Sequence, residues 1–80
     1  MNKEQILAKV TDIFKDVLDN DDIVLTDTTV ATDVEDWDSL NHIQIIVAIE
    51  KSFKIKFTST EIHHFKNVGE LIGSIESKLS

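Results

Sequence analysis

The apolar residues of the first eighteen positions recur every three or four residues, the spacing that places side chains on one face of an α-helix. Asn2 and Gln5 have the separation of a capping box, in which each side chain binds the backbone of the other residue. The polar run at residues 19–22 favours turns and ends the segment. We therefore predict a first helix over Lys3–Leu18, with an apolar face that contains Ile6, Val10, Phe14 and Val17, joined by Leu7 and Leu18.

A long polar stretch, residues 19–38, follows this helix. Connections of this length are uncommon in compact domains and tend to be either functional or disordered. Scattered apolar residues indicate that the segment packs over the core instead of extending into solvent. These residues are Ile23, Val24, Leu25, Val30 and Val34.

The next segment combines helical spacing with a high content of β-branched residues. Asp38 is a favourable N-cap residue, and this cap and the length of the segment favour a helix over residues 39–51. Residues 54–57 alternate as a strand does, so we predict an extended connector that places Ile55 or Phe57 inward, with an edge strand as the alternative. The inward face of the second helix is expected to contain Leu40, Ile43, Ile46, Val47 and Phe53.

Two further capping boxes follow, Thr58 with Glu61 and Asn67 with Glu70. The first predicts a short helix that ends near Phe65, and the second predicts a longer last helix. The architecture is therefore all-α, with three longer helices, one short third helix and a long loop between helices I and II. The apolar face of the last helix is formed by Val68, Leu71, Ile72, Ile75 and Leu79.

The amino-acid composition limits the classes of protein to which the chain can belong. The chain is expected to be a single domain, residues 1–80, and its longest apolar run is far too short to span a membrane. There is no cysteine, which excludes disulfides and thiolate nucleophiles, and no signal-peptide core, so a cytoplasmic location is expected. Fifteen acidic residues against eight lysines give a net charge of −7. This charge disfavours nucleic acid and anionic lipid, and attracts basic patches on partner proteins.

Residues with catalytic potential form no recognisable constellation. Ser39 lies outside a Gly-x-Ser-x-Gly elbow, and His42, one turn further, could touch it, but a small helical domain has little room for an oxyanion hole. No glycine-rich phosphate loop is present. A solvated loop is favoured over a cation site for the acidic residues before Ser39, so neither a metal site nor an enzyme is predicted. These acidic residues are Asp33, Glu35, Asp36 and Asp38.

Ser39 instead has the properties of a residue that other proteins modify. The Asp38 cap places it in the first turn of a helix, where unpaired backbone N–H groups and the helix dipole favour a phosphate group. Because the chain has no thiol, any acyl chemistry would need the sulfur of a prosthetic group.

Asp38-Ser39-Leu40, at the start of an isoleucine-rich helix in a short acidic chain with this helix order, resembles the attachment site of acyl carrier proteins. The resemblance implies a four-helix bundle in which Ser39 takes 4′-phosphopantetheine from coenzyme A through a separate Mg²⁺-dependent phosphopantetheinyl transferase. It also implies that the chain carries acyl or aminoacyl cargo as a thioester for enzymes that load or accept the cargo. Asp38 would cap the helix and assist recognition by the transferase, and Leu40 would pack inward as structural support.

The chain departs from carriers of fatty-acid synthesis, which have a markedly acidic helix II. Among the positions of helix II expected to be exposed, Glu50 alone is acidic. We expect a monomer that meets basic patches of its partners through the acidic loop, with Ile45 as an apolar anchor. The alternative is an acidic interaction module that is never modified. The expected partner-binding residues are Asp36, Trp37, Asp38, Ile45 and Glu50.

Trp37 stands where fatty-acid carriers have a small residue. A Trp-Asp-Ser-Leu sequence resembles that of stand-alone carriers in specialised bacterial pathways. We expect Trp37 to pack the loop onto helix II rather than to contact the cargo.

Overall fold

The computed structural model describes residues 2–34 and 36–79, and Glu35 of the predicted acidic loop lies outside these ranges. Within them the chain forms four α-helices: α1 (Lys3–Leu18), α2 (Ser39–Phe53), α3 (Ser59–His64) and α4 (Val68–Leu79). A short 3₁₀ turn, Ala31–Asp33, lies in the long loop. The predicted bundle of three longer helices and a short third one is confirmed. Helix α2 continues two residues beyond its predicted end, and residues 55–57 form the extended connector.

The helix starts are held by the predicted side chains. Asn2 Oδ1 accepts from the backbone N–H of Gln5 at 2.8 Å, and Gln5 Oε1 accepts from the N–H of Asn2 at 3.0 Å. Thr58 and Glu61 form the same reciprocal pair at the start of α3. At α4, Asn67 Oδ1 accepts from the N–H of Glu70 at 2.8 Å. These bonds satisfy N–H groups that have no partner within their own helix.

The core lies between α1, α2 and α4, and α1 packs against both of the other helices. The long loop covers one side of this core, as predicted, through Ile23, Leu25 and Val34, whereas Val24, which was also expected to pack there, is 78% exposed. Phe57 of the connector is also buried. Burial of so much aliphatic surface is the main stabilising contribution to the fold. The buried apolar residues are Ile6, Val10, Phe14 and Leu18 of α1; Ile23, Leu25 and Val34 of the loop; Ile45, Ile46, Ile49 and Phe53 of α2; Phe57; and Val68, Leu71, Ile72 and Ile75 of α4.

The predicted inward face of α2 is wrong in part. Leu40, Ile43 and Val47 are exposed to 70%, 44% and 42%, whereas Ile45, expected at the surface, is 0% exposed. The helix instead buries a row of residues four positions apart, Ile45, Ile49 and Phe53, together with Ile46. Because apolar residues surround most of this helix, their spacing alone did not determine which row meets α1.

The long loop is attached to the start of α4. The backbone N–H groups of Val68 and Gly69 donate to the carbonyl oxygens of Thr29 and Asp27 at 2.8 and 2.9 Å. Thr29 is buried, and its Oγ1 accepts from the N–H of Thr26 at 2.8 Å. An ideal Cβ on Gly69 would lie 2.7 Å from the Asp27 carbonyl oxygen, so this close approach requires glycine.

Gly69→Ala is expected to lower the free energy of unfolding by about 1–3 kcal/mol, because the new methyl group must displace the loop backbone. Gly73 of α4 is the matched control, since a Cβ there meets nothing within 4 Å among the described residues. Gly73→Ala is expected to raise stability by about 0.5–1 kcal/mol through helix propensity. Urea unfolding of both variants measures the difference. Equal changes in the two variants would contradict the close approach.

Helices α3 and α4 are joined by an ion pair in which Lys78 Nζ lies 3.0 Å from Glu61 Oε2. The backbone N–H of Thr58, and then the Lys78 ammonium, lower the pKa of Glu61 from its ordinary value of 4.5. A lowered pKa in the folded state means that this stabilisation is fully present above about pH 4.5 and is lost as the pH falls through the folded-state pKa.

Glu61→Gln is therefore expected to flatten the acid side of the stability profile. The glutamine keeps a side-chain oxygen for the N–H of Thr58 but has no carboxylate to protonate. Thermal unfolding from pH 6 to pH 3 measures the effect, and the wild-type melting temperature should fall further over this interval than that of Glu61→Gln. Parallel profiles would show that Glu61 contributes nothing to the acid transition.

Candidate functional site

The start of α2 is a rigid turn that presents Ser39 to solvent. Asp38 is the N-cap, as predicted, and its carboxylate accepts from the N–H of Asn41 at 2.9 Å. Asp36 has the left-handed backbone conformation, with φ 70°, and its carbonyl oxygen accepts from the Asn41 side-chain amide at 2.7 Å. Ser39 is the first residue of the helix and is exposed. Its hydroxyl therefore stands on a fixed backbone at the positive end of the α2 dipole.

Trp37 attaches this turn to the core. Its ring packs edge-to-face on Phe14 of α1, with centroids 4.8 Å apart and an interplanar angle of 83°. The indole Nε1–H donates to His42 Nδ1 of α2 at 3.1 Å. Trp37 thus packs the loop onto helix II as expected, and it also reaches α1.

His42 lies between the turn and α3. Its Nε2 is 3.0 Å from the carbonyl oxygen of Ile62, and its ring meets Phe65 at a centroid distance of 6.5 Å. Because Nδ1 accepts from the indole, the tautomer that satisfies both contacts is neutral with hydrogen on Nε2. Both ring nitrogens are therefore engaged away from Ser39, so His42 is not placed to act as a base for a serine nucleophile. The sequence identified His42 only as a neighbour of Ser39.

An open cleft of about 420 Å³ lies beside Ser39, between the start of α2 and α3. Its walls are largely apolar. A cleft of this character accommodates a flexible chain that is attached at its mouth. The lining residues are Ala31, Trp37, Asp38, Ser39, His42, Ile43, Ile62, His63, Phe65 and Lys66.

Two of the predicted roles at the site are wrong. Leu40 does not pack inward as support, because at the second position of α2 its side chain points away from the bundle. Ile45 cannot be a surface anchor for partners, because it is buried in the core. Leu40 instead begins an exposed apolar stripe with Ile43 and Val47, at positions i, i+3 and i+7 of α2. The helical spacing of these three residues was predicted correctly, but they were expected on the buried face of α2.

The other predicted partner-binding residues differ in accessibility. Asp36 and Asp38 are exposed, and Trp37 is partly buried. Glu50 has a structural contact, since its Oε2 accepts from the N–H of Phe57 at 2.8 Å. This bond holds the connector against α2 and leaves Glu50 only partly exposed.

The described residues contain neither a cluster of metal ligands nor a helix that could cross a membrane. In residues 2–34 and 36–79, no group of three or more histidine or acidic side chains is arranged to hold a metal ion. None of the helices in the same ranges has the length and apolar character needed to cross a membrane.

Comparison with known proteins agrees with this geometry. The family model described as "Phosphopantetheine attachment site" matches residues 8–75. The acyl carrier protein of Thermosynechococcus vestitus is 31% identical over 81 residues, covering 100% of this chain and 99% of that protein. The acyl carrier protein of Thermotoga maritima is 27% identical over 78 residues, covering 98% and 96%. The solution NMR structure of a holo acyl carrier protein from Geobacter metallireducens has a TM-score of 0.86 at 46% identity, covering 92% of this chain and 85% of that one.

The matched family model, the relatives and the shared fold define this four-helix bundle as a carrier domain. The chain belongs to the acyl carrier protein family, whose members are non-catalytic carriers with a phosphopantetheine attachment site. Phosphopantetheine is therefore its cofactor, as predicted. Membership also implies modification by a phosphopantetheinyl transferase and delivery of cargo to partner enzymes.

Proposed function

We propose that Ser39 is the attachment residue and that the chain is a carrier of acyl or aminoacyl cargo in a specialised pathway. The observation that carries the assignment is the exposed hydroxyl on the first residue of α2, whose backbone is held by the Asp38 cap. The helix N-terminus favours the negative charge of a phosphodiester. The cleft beside Ser39 offers the attached arm an apolar wall.

The attachment reaction transfers a phosphoryl group. Ser39 Oγ would bond to the phosphorus that bears the pantetheine, while the pyrophosphate bond of coenzyme A breaks and the adenosine bisphosphate leaves. The transferase accepts the hydroxyl proton. The contribution of this chain is positional, because its caps hold the hydroxyl on a fixed backbone and leave open space in front of it.

Partner enzymes would meet the chain at the exposed stripe of α2. Leu40, Ile43 and Val47 replace the buried Ile45 as the apolar contact, and the exposed residues Asp36 and Asp38 precede this stripe in the chain. Such a surface fits an apolar patch on the partner with basic groups on the side that faces the loop. Glu50 stays a predicted partner-binding residue, but one oxygen of its carboxylate is already bonded to the N–H of Phe57 in the connector.

Two features support a role outside fatty-acid synthesis. Trp37 occupies the position before Asp38, and helix α2 has few acidic residues at its surface. The second feature would alter which enzymes dock beside Ser39, since charge complementarity governs partner choice. The monomeric state and the cytoplasmic location stay predictions from the sequence.

The test is the intact mass of the purified chain after incubation with coenzyme A, Mg²⁺ and a broad-specificity transferase. We expect the addition of one phosphopantetheine, located by peptide mapping on the segment that contains Ser39. A carrier of known competence serves as the control for the transferase. If that control is modified and this chain is not, the carrier proposal fails, and the unmodified interaction module becomes the better description.

A further inference from the structure

We infer that His42 is a positioning residue for the modification of Ser39, because one imidazole holds the turn before Ser39 and helix α3 at the same time. The inference rests on the proposed role of Ser39. Both ring nitrogens of His42 are engaged, one by Trp37 and the other by the Ile62 carbonyl, so its effect would act through these two residues.

The first contact closes the turn around Ser39. Trp37 lies two residues before the serine and His42 three residues after it, and the indole N–H donates to Nδ1 at 3.1 Å. The Asn41 side-chain amide also bridges this segment, since it donates to the carbonyl oxygen of Asp36 at 2.7 Å. The serine backbone is thus enclosed by two side-chain bonds in addition to the Asp38 cap.

The turn is anchored in the core through the same indole. The Trp37 ring packs on Phe14, which has no solvent exposure. A hydrogen bond from a partly buried donor to a fixed acceptor restricts the ring more than packing alone does. His42 therefore determines the orientation in which Trp37 joins the turn to α1.

The second contact holds α3 against the site. This helix has six residues, all of them described, and none of its side chains is fully buried. Short helices depend on tertiary contacts for their stability. The Glu61–Lys78 pair ties α3 to α4, and the bond from His42 to the Ile62 carbonyl ties it to α2 beside Ser39. Loss of this bond would change the width of the cleft that the transferase meets.

The two contacts can be separated by substitution. His42→Asn keeps an oxygen near the place of Nδ1 and can still accept from Trp37, whereas His42→Gln keeps an amide near the place of Nε2 and can still donate to Ile62. His42→Leu removes both contacts, and Trp37→Phe removes the indole N–H while retaining an aromatic ring beside Phe14. His64→Leu is the control, because His64 is exposed and does not line the cleft.

The experiment measures kcat and KM of the transferase with each full-length variant as its substrate, together with the indole emission spectrum. Trp37 is the only tryptophan in the sequence, so the emission reports on the surroundings of this one indole. We expect His42→Leu to lower kcat/KM about tenfold, as the loss of a part-buried hydrogen-bonded pair would. His42→Asn and His42→Gln should each recover part of this loss. The emission should shift in the Leu and Gln variants and stay close to wild type in Asn and in His64→Leu.

The outcomes separate this inference from the proposed function. Modification of His42→Leu at the wild-type rate, or additive effects of Trp37→Phe and His42→Leu in the double variant, would overturn the positioning role alone. A wild-type chain that takes no phosphopantetheine would overturn the role of Ser39 and the positioning role with it. Should His42→Leu fail to fold, the Asn and Gln variants decide the question, since unchanged rates in both would refute the inference.

Discussion

Ser39→Ala is expected to abolish the mass gain that the chain shows with coenzyme A and a transferase. Alanine has no oxygen to bond to phosphorus, so the loss should be complete, whatever the reaction time. The fold should be unaffected, because the Ser39 side chain is exposed and the start of α2 is held by Asp38. Alanine is also a better helix former than serine, which favours unchanged or slightly higher stability. Intact mass and thermal unfolding of the same sample measure both effects.

Ser59 provides a matched control for this experiment. Like Ser39, it is the first residue of a helix, it is exposed, and it follows a residue whose side chain caps that helix. Ser59→Ala should still accept one phosphopantetheine. Residual modification of Ser39→Ala, or loss of modification in Ser59→Ala, would move the attachment residue elsewhere. Because Ser39→Ala retains Ser59, the absence of modification in that variant would show that an exposed hydroxyl at a helix start is not sufficient.

The parts of the fold that could be predicted from the sequence are those that depend on near neighbours. The pairs Asn2–Gln5 and Thr58–Glu61 act over three residues, and the structure contains both. Ser39 was found for the same reason, since Asp38 signals a helix start without reference to the rest of the molecule. Four such starts, with polar turns between them, were enough to predict the four helices, and their arrangement as a bundle was implied by the family resemblance.

The parts that could not be predicted depend on packing between distant segments. His42 and Ile62 are twenty residues apart, and the acceptor is a backbone carbonyl. Every residue has such a carbonyl, so the amino-acid sequence does not indicate which one His42 contacts. The approach of Gly69 to Asp27 is likewise a backbone contact across the fold. In α2 the difficulty was different, because a helix that is apolar around most of its surface satisfies several orientations equally well. The tertiary structure then determines the buried row.

Ile45→Ala is expected to lower the free energy of unfolding by about 2–5 kcal/mol, as large-to-small substitutions in a packed core do. Ile45 has no solvent exposure and lies in the row of α2 that faces the core, so its truncation leaves a cavity. For a domain of this size the change is a large fraction of the total stability. Urea unfolding followed by circular dichroism measures it.

Leu40→Ala is the matched substitution on the other face of the same helix. Leu40 is 70% exposed, so its truncation should change stability by less than about 0.5 kcal/mol. If the exposed stripe is the docking surface, the same substitution should raise the KM of the transferase for the carrier about fivefold, the effect of losing an apolar interface contact. The two variants thus have opposite signatures: one loses stability, while the other loses recognition. A stability loss in Leu40→Ala as large as in Ile45→Ala would mean that α2 is rotated and that Leu40 supports the bundle after all.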